Sequence, residues 1–240
     1  MLAMVGAALA SGCTARGGQQ NETSAQNNST NQSGPQNELT CEPDIQFTGA
    51  ELLVDDSGFT TDAYAEIIVE NAGTARSGEV AVTAGWLDQG GNFLDEDTAR
   101  LPSLAAGETW QAYVVALGPD AESIEDVQVS GEFVTGAPVA PSGLAVAESQ
   151  YVAEDDQIRG RVTIDRETSV EEVTALAKLY AEDGTVLGGG TAWESELAAG
   201  TDWRFEMYVP RLPGDAPEPT DHEVLLDAGP HQIQMAGDGD

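Results

Sequence analysis

Lysine is all but missing from this chain. Its 240 residues carry nine basic side chains against 42 acidic ones, a formal net charge of −33, and the only lysine is Lys178. Nucleic-acid binding is thereby excluded, because a surface of this sign repels phosphates instead of releasing their counterions. Attraction to anionic lipid head groups is excluded for the same reason. Histidine is equally scarce, with His222 and His231 alone. A zinc site would need more His or Cys at short spacing, and no HExxH, GxSxG, Walker or GxGxxG pattern occurs. The sequence therefore assigns no catalytic residue, no metal ligand and no cofactor. Acidic runs at Asp55-Asp56, Asp95-Glu96-Asp97 and Glu154-Asp155-Asp156 lack the EF-hand order and read as solvated faces. No apolar run reaches the roughly 18 residues of a membrane-spanning helix. Yet apolar residues make up 40% of the chain, too many for wholesale disorder.

Like charges at this density oppose compaction. Molar salt shortens the Debye length to about 3 Å and removes most of that repulsion. The composition thus predicts adaptation to high salt and resembles that of proteins from extremely halophilic archaea. The alternative is a moderately acidic secreted bacterial protein, which would keep its full fold at low ionic strength.

Residues 1–12 read MLAMVGAALASG, a short apolar run of signal-peptide size that ends in Ala10-Ser11-Gly12-Cys13. Small residues directly before a Cys resemble the lipobox of lipoprotein signal peptides. That resemblance implies that Cys13 becomes the new N-terminus and carries lipid. The protein is then extracytoplasmic and held to the cell membrane by its anchor, and stable attachment requires a second lipid chain. No Lys or Arg precedes Cys13, so the export route stays open between twin-arginine and general secretion. Lipid on Cys13 predicts no intrachain disulfide in the mature protein and leaves Cys41 as a free thiol, an intermolecular bridge or an inert residue at the linker end, the last favoured because its surroundings are acidic.

Residues 14–40 are rich in Asn, Gln, Ser, Thr and Gly and hold one Leu and no aromatic residue. Such a segment cannot offset its ordering entropy by burial and is expected to be a disordered linker. It carries N-x-S/T triplets at Asn21, Asn27, Asn28 and Asn31. These are N-glycosylation candidates on a protease-resistant stalk, although such composition also makes the triplet by chance.

The most informative feature is an internal repeat at a constant offset of 93 residues. Val80–Leu87 aligns with Val173–Tyr180, Gly91 with Gly184, Leu104-Ala-Ala-Gly107 with Leu197-Ala-Ala-Gly200, and Trp110 with Trp203. Each copy alternates as antiparallel β. Val80, Val82, Ala84 and Trp86 share one face, as do Val173, Ala175, Ala177 and Leu179. Trp110, Ala112 and Val114 match Trp203, Phe205 and Met207. Further strands are expected at 45–54, 63–70 and 124–134, and near 143–153, 157–165 and 221–227. A helix over 170–182 is the weaker reading, since its partner copy contains Gly78 and Gly85. The recurring tryptophans read as core, whereas Trp193 aligns with Arg100 and is the better candidate for an exposed contact.

At these residues the chain resembles the FxLyD family of small Ig-like extracellular domains. Trp86-Leu87-Asp88, Gly91, Leu104–Glu108 and Trp110 carry the likeness in the first copy. Leu179-Tyr180, Asp183-Gly184, Leu197–Gly200 and Trp203 carry it in the second. The departures are Trp86 in place of the usual Tyr, Ala181 in place of Asp, and Ala before each motif Gly in place of Pro. The resemblance implies surface-exposed, often lipid-anchored, non-enzymatic domains.

The expected organisation is all-β. A lipobox leader (1–13) and linker (14–40) precede two tandem Ig-like β-sandwiches (41–136 and 143–228), joined by residues 137–142 and followed by a tail (229–240). The expected function is a non-enzymatic binding or structural module on the cell surface of a halophile. Its partners are the membrane, through the lipid, and a surface protein or glycan. The alternative is an accessory or solute-capturing lipoprotein of an envelope transport system, which predicts a cleft where the domains meet.

Overall fold

The computed structural model describes residues 41–55, 61–118 and 120–228. Cys13, the triplet residues Asn21, Asn27, Asn28 and Asn31, Asp56, His231 and the tail lie outside the described residues. Among the described residues the chain is all β, with two short 3-10 turns and no α-helix. The first six strands are β1 (Ile45–Asp55), β2 (Asp62–Asn71), β3 (Val80–Leu87), β4 (Phe93–Leu101), β5 (Thr109–Val115) and β6 (Asp126–Phe133). The next six are β7 (Leu144–Val152), β8 (Gln157–Ile164), β9 (Val170–Tyr180), β10 (Val186–Leu197), β11 (Asp202–Tyr208) and β12 (Asp221–Asp227).

They form three sheets, ordered β1-β2-β5-β10-β9-β12, β4-β3-β6 and β11-β8-β7. The strand order repeats. Advancing each strand of the first half by six turns β1-β2-β5 into β7-β8-β11 and β4-β3-β6 into β10-β9-β12. The six-stranded sheet is therefore two three-stranded pieces, one from each half. A single parallel bridge, Val186 with Trp110, joins them. Residues from Glu42 onward belong to one compact unit.

Alternation places the cores. The outward residues of β3 leave Val80, Val82, Ala84 and Trp86 wholly buried, with Trp110, Ala112 and Val114 of β5 in the same cluster. In the second half Val173, Ala175, Ala177 and Leu179 of β9 share a cluster with Trp203, Phe205 and Met207 of β11. Each large side chain so buried contributes about 1.5–3 kcal/mol of transfer free energy. The helix formers in 170–182 are overruled because β9 is paired on both sides, by β10 and by β12.

The same turns close both copies. Gly91 (φ 73°) and Gly184 (φ 88°) occupy the left-handed region, as do Gly107 (φ 76°) and Gly200 (φ 68°), which side chains with a Cβ rarely adopt. Gly91 N–H donates to Asp88 O and Gly184 N–H to Ala181 O, a bond repeated at the 93-residue offset.

Cys41 is disulfide-bonded, which sets aside the inert and free-thiol readings of it.

Candidate functional site

Lys178 lies on the face of β9 turned away from its own core, since its neighbours Ala177 and Leu179 point into that core. It is nevertheless only 2% exposed, because the first half covers it. Its Nζ stands 2.8 and 2.7 Å from the two carboxylate oxygens of Glu108, at the start of β5, and 3.1 Å from Glu223 Oε2 on β12. The Tyr180 hydroxyl lies 2.9 Å from Glu108 Oε1 and 3.2 Å from Glu223 Oε2. Arg76 of the first half reaches Glu223 at 3.5 Å. The Lys178 ammonium also sits 5.2 Å from the Tyr180 ring centroid, within cation–π range.

The electrostatics follow from burial plus pairing. Burial alone would raise the Glu108 carboxyl, but the Lys178 charge and hydrogen bonds from Lys178, the Ala105 N–H and Tyr180 hold it below its ordinary value. The Tyr180 phenol is pushed up, first by burial and then by the charges of Glu108 and Glu223. Removing one partner of such a buried pair costs about 3–5 kcal/mol, since the other charge is left uncompensated.

Backbone shape permits the docking. A Cβ at Gly189 would collide with Ala177 O of its own half, and would lie 3.0 Å from Pro102 Cδ and 3.2 Å from Leu101 Cδ1 of the first half. Elsewhere at the junction the Tyr64 hydroxyl donates to Asp215, and the Val139 N–H donates to Asp227 Oδ1 at 2.9 Å.

Beside this joint runs a groove of about 500 Å³ built from both halves. The first half supplies Glu79, Arg100 and Pro102. The second supplies Gly189, Gly190 and Thr191 of β10 and Tyr208, Val209 and Pro210 at the end of β11. Arg100 and Glu79 are paired at 2.6 Å and remain about half exposed. A second hollow, about 650 Å³, lies on the β7-β8-β11 sheet and is lined by Arg159, Arg161 and Arg204 among others. Its arginines are largely spoken for. Arg161 pairs with Glu148 and Asp202, and Arg159 with Asp155 and Glu206.

The residues singled out from sequence fall as follows. Trp193 is 68% exposed, whereas Trp86, Trp110 and Trp203 are buried. His222 Nε2 meets Ser149 Oγ at 2.9 Å. This pair ties β12 to β7 across the two layers of the second half, and no carboxylate orients the other ring nitrogen among the described residues. In the acidic run of β4, Asp97 accepts from the Trp86 indole at 2.8 Å and from the Leu117 N–H at 3.1 Å. Asp155 is engaged by Arg159. No group of three or more His, Cys, Asp or Glu that could hold a metal occurs among the described residues. Tyr208, Arg100 and Glu79 carried no signal in the sequence, because alternation places them outward and only the docking of the halves brings them together.

No family model matches the sequence. Glutamate 5-kinase of Cupriavidus pinatubonensis (strain JMP 134) is 31% identical over 168 residues, 67% of this chain and 44% of that protein. The chain thus spans less than half the length of the curated relative it matches. Among solved structures, red sea bream transglutaminase is similar at a TM-score of 0.22 and 11% identity, covering 76% of this chain and 29% of that one. These likenesses are distant. What the structure itself defines is an all-β protein of several sheets with two separate cores.

Proposed function

We propose that this chain is an extracytoplasmic, lipid-anchored binding module of a halophile, made of two tandem Ig-like β-sandwiches of FxLyD type, and that it is not an enzyme. The repeated strand order, each copy closed by the same two glycine turns, supports the domain reading. The observation that carries the function is the buried ionic joint. It fixes two folded units against each other and leaves a groove built from both, which is a binding surface and lacks an assembled nucleophile, base and orienting acid.

Two uses of Cys13 compete. The lipobox reading assigns it an acyl chain, and a bond to Cys41 would consume the same sulfur. We propose that acylation prevails in the mature protein. Mass spectrometry of the N-terminus of protein taken from native membranes decides it. A lipid-modified Cys13 at the terminus supports the reading, and an unmodified terminus upstream of a Cys13–Cys41 disulfide overturns it. The salt adaptation is tested separately. Lowering salt from molar to about 0.1 M lengthens the Debye length to about 10 Å and should loosen the fold; a circular-dichroism signal unchanged by that step counts against a halophilic protein.

A second reading, a solute-capturing lipoprotein of an envelope transport system, draws on the groove crossing the boundary between the halves. It predicts that the halves close on their solute, whereas a fixed platform binds without a change in its scattering profile.

A further inference from the structure

The groove beside the joint has a chemistry that narrows its ligand. At net charge −33 the chain as a whole disfavours polyanions, and the arginine that lines this groove, Arg100, is already paired with Glu79. Within the groove Arg100 and Glu79 stand 2.6 Å apart, each about half exposed. Together they offer guanidinium donors beside carboxylate acceptors, the pair of functions that a vicinal diol needs, since each hydroxyl both donates and accepts. Thr191 adds a hydroxyl to the lining. Tyr208, 75% exposed, also lines it, and its ring offers an apolar plane with a polar tip. Gly189 and Gly190 bring bare backbone to the lining.

The surface continues along β10. Ala192 packs on the second core, so Thr191 and Trp193 point to the outer face together, two positions apart and about 7 Å along the strand. Trp193 is the most exposed tryptophan, at 68%. A ligand seated in the groove and extended along β10 would meet a second aromatic plane there. The repeat sharpens the point. The first copy carries Arg100 where the second has Trp193, and Asp95-Glu96-Asp97 where the second has Gly188-Gly189-Gly190. Glu79 and Thr191 recur in the other copy as Glu172 and Thr98, whereas Arg100, Tyr208 and the glycines are positions at which the copies differ.

We propose that this groove binds a neutral oligosaccharide. One sugar unit sits over Tyr208 with its hydroxyls on Arg100, Glu79 and Thr191, and a later unit stacks on Trp193. This deepens the proposed surface-binding function and rests on that reading.

The test uses the full chain in molar salt, titrated by calorimetry and tryptophan fluorescence with maltotetraose, cellotetraose, mannotetraose and chitotetraose, and with tetragalacturonate as the acidic arm. At least one neutral tetrasaccharide should bind with millimolar or tighter affinity and tetragalacturonate should not. Tyr208→Ala and Arg100→Ala should each weaken binding about tenfold, the loss of one stacking or charged hydrogen-bonding contact. Trp193→Ala should weaken the tetrasaccharide about three- to tenfold and leave the corresponding disaccharide unchanged. Phe93→Ala, an exposed aromatic on β4 that does not line the groove, serves as the control and should change nothing. The proposal is overturned by binding that is indifferent to Tyr208→Ala and Arg100→Ala, by acidic sugar bound in preference to neutral, or by no binding of any neutral sugar up to about 10 mM. Should the sugars fail while a lipid-modified Cys13 is found, the anchored surface module stands and only the saccharide assignment falls. An unmodified Cys13 with sugar binding intact reverses that outcome.

Discussion

The two halves share a strand order and differ in what they do at their boundary. Their first turn shows how the same shape survives a changed sequence. In the first copy Asp88 Oδ1 accepts from the Gly90 N–H and from Asn92, each at 2.8 Å for the backbone bonds. In the second copy that position is Ala181, and Asp183 instead accepts from the Thr185 N–H at 2.9 Å. A carboxylate two residues later does the same work. Both acids are consequently held below their ordinary values, first by bonds from Asn92 for Asp88 and from Thr185 for Asp183.

The second turn shows divergence put to use. Glu108 and Thr201 are equivalent, and both N–H groups close the turn, onto Ala105 O and Ala198 O. Thr201 keeps its hydroxyl local, 2.7 Å from Ala198 O. Glu108 caps the Ala105 N–H at 2.7 Å and also reaches out to Lys178. Lys178 and Tyr180 align with Gly85 and Leu87, and Glu223, which pairs with Lys178, matches Gln128, which pairs with Gly85. The second copy thus carries a charged face where the first carries none, and the joint can form in one orientation only. The halves share a strand order, and differences at a few positions supply the contacts between them.

Substitutions can break this comparison at graded strength. Trp110→Ala and Trp203→Ala should each cost about 3–5 kcal/mol in denaturant unfolding. Trp110 also shares its buried cluster with Val186 of the second half, so its loss should loosen both halves, and Trp203→Ala one. Lys178→Met should cost about 3–5 kcal/mol by leaving Glu108 and Glu223 facing each other. Adding Glu108→Gln and Glu223→Gln to it should recover most of that loss, which a purely steric role for Lys178 would not allow. Gly107→Ala and Gly200→Ala should cost a similar about 1–2 kcal/mol each, because both demand a left-handed backbone; unequal costs would mean the turns are not equivalent.

The pH dependence has a definite sign. Glu108 titrates below its ordinary value of 4.5 when folded. Its contribution is present in full above pH 4.5 and is lost as pH falls below that value. Tyr180 is raised above its ordinary 10.0, so its contribution is present below pH 10 and is lost as pH climbs beyond it. Glu108→Gln should flatten the acid limb of a stability profile and, because the Glu108 charge helps to raise Tyr180, weaken the alkaline limb without removing it. The smallest effect belongs to Arg100→Ala, whose exposed pair with Glu79 should change stability by at most about 1 kcal/mol.

Much of the fold was legible in the sequence because alternation is a local signal. Val80, Val82, Ala84 and Trp86, and their partners 93 residues on, are buried as their periodicity requires. The exposure of Trp193 followed from its lack of an aromatic counterpart. The joint was not legible. Alternation places Lys178 on an outward face, and an outward lysine in an acidic chain reads as solvated. Only contact with Glu108, 70 residues away, buries it. The same holds for the groove, whose two walls come from strands that no periodic pattern brings together.

The central claim, that the halves are locked as one body through Lys178, is tested most directly by small-angle X-ray scattering of the full chain in molar salt, wild type against Lys178→Met. The account predicts a single compact arrangement of the two halves for the wild type and a larger radius of gyration with a broadened distance distribution for the variant. Halves that move independently in the wild type, or a folded variant with an identical profile, would contradict it.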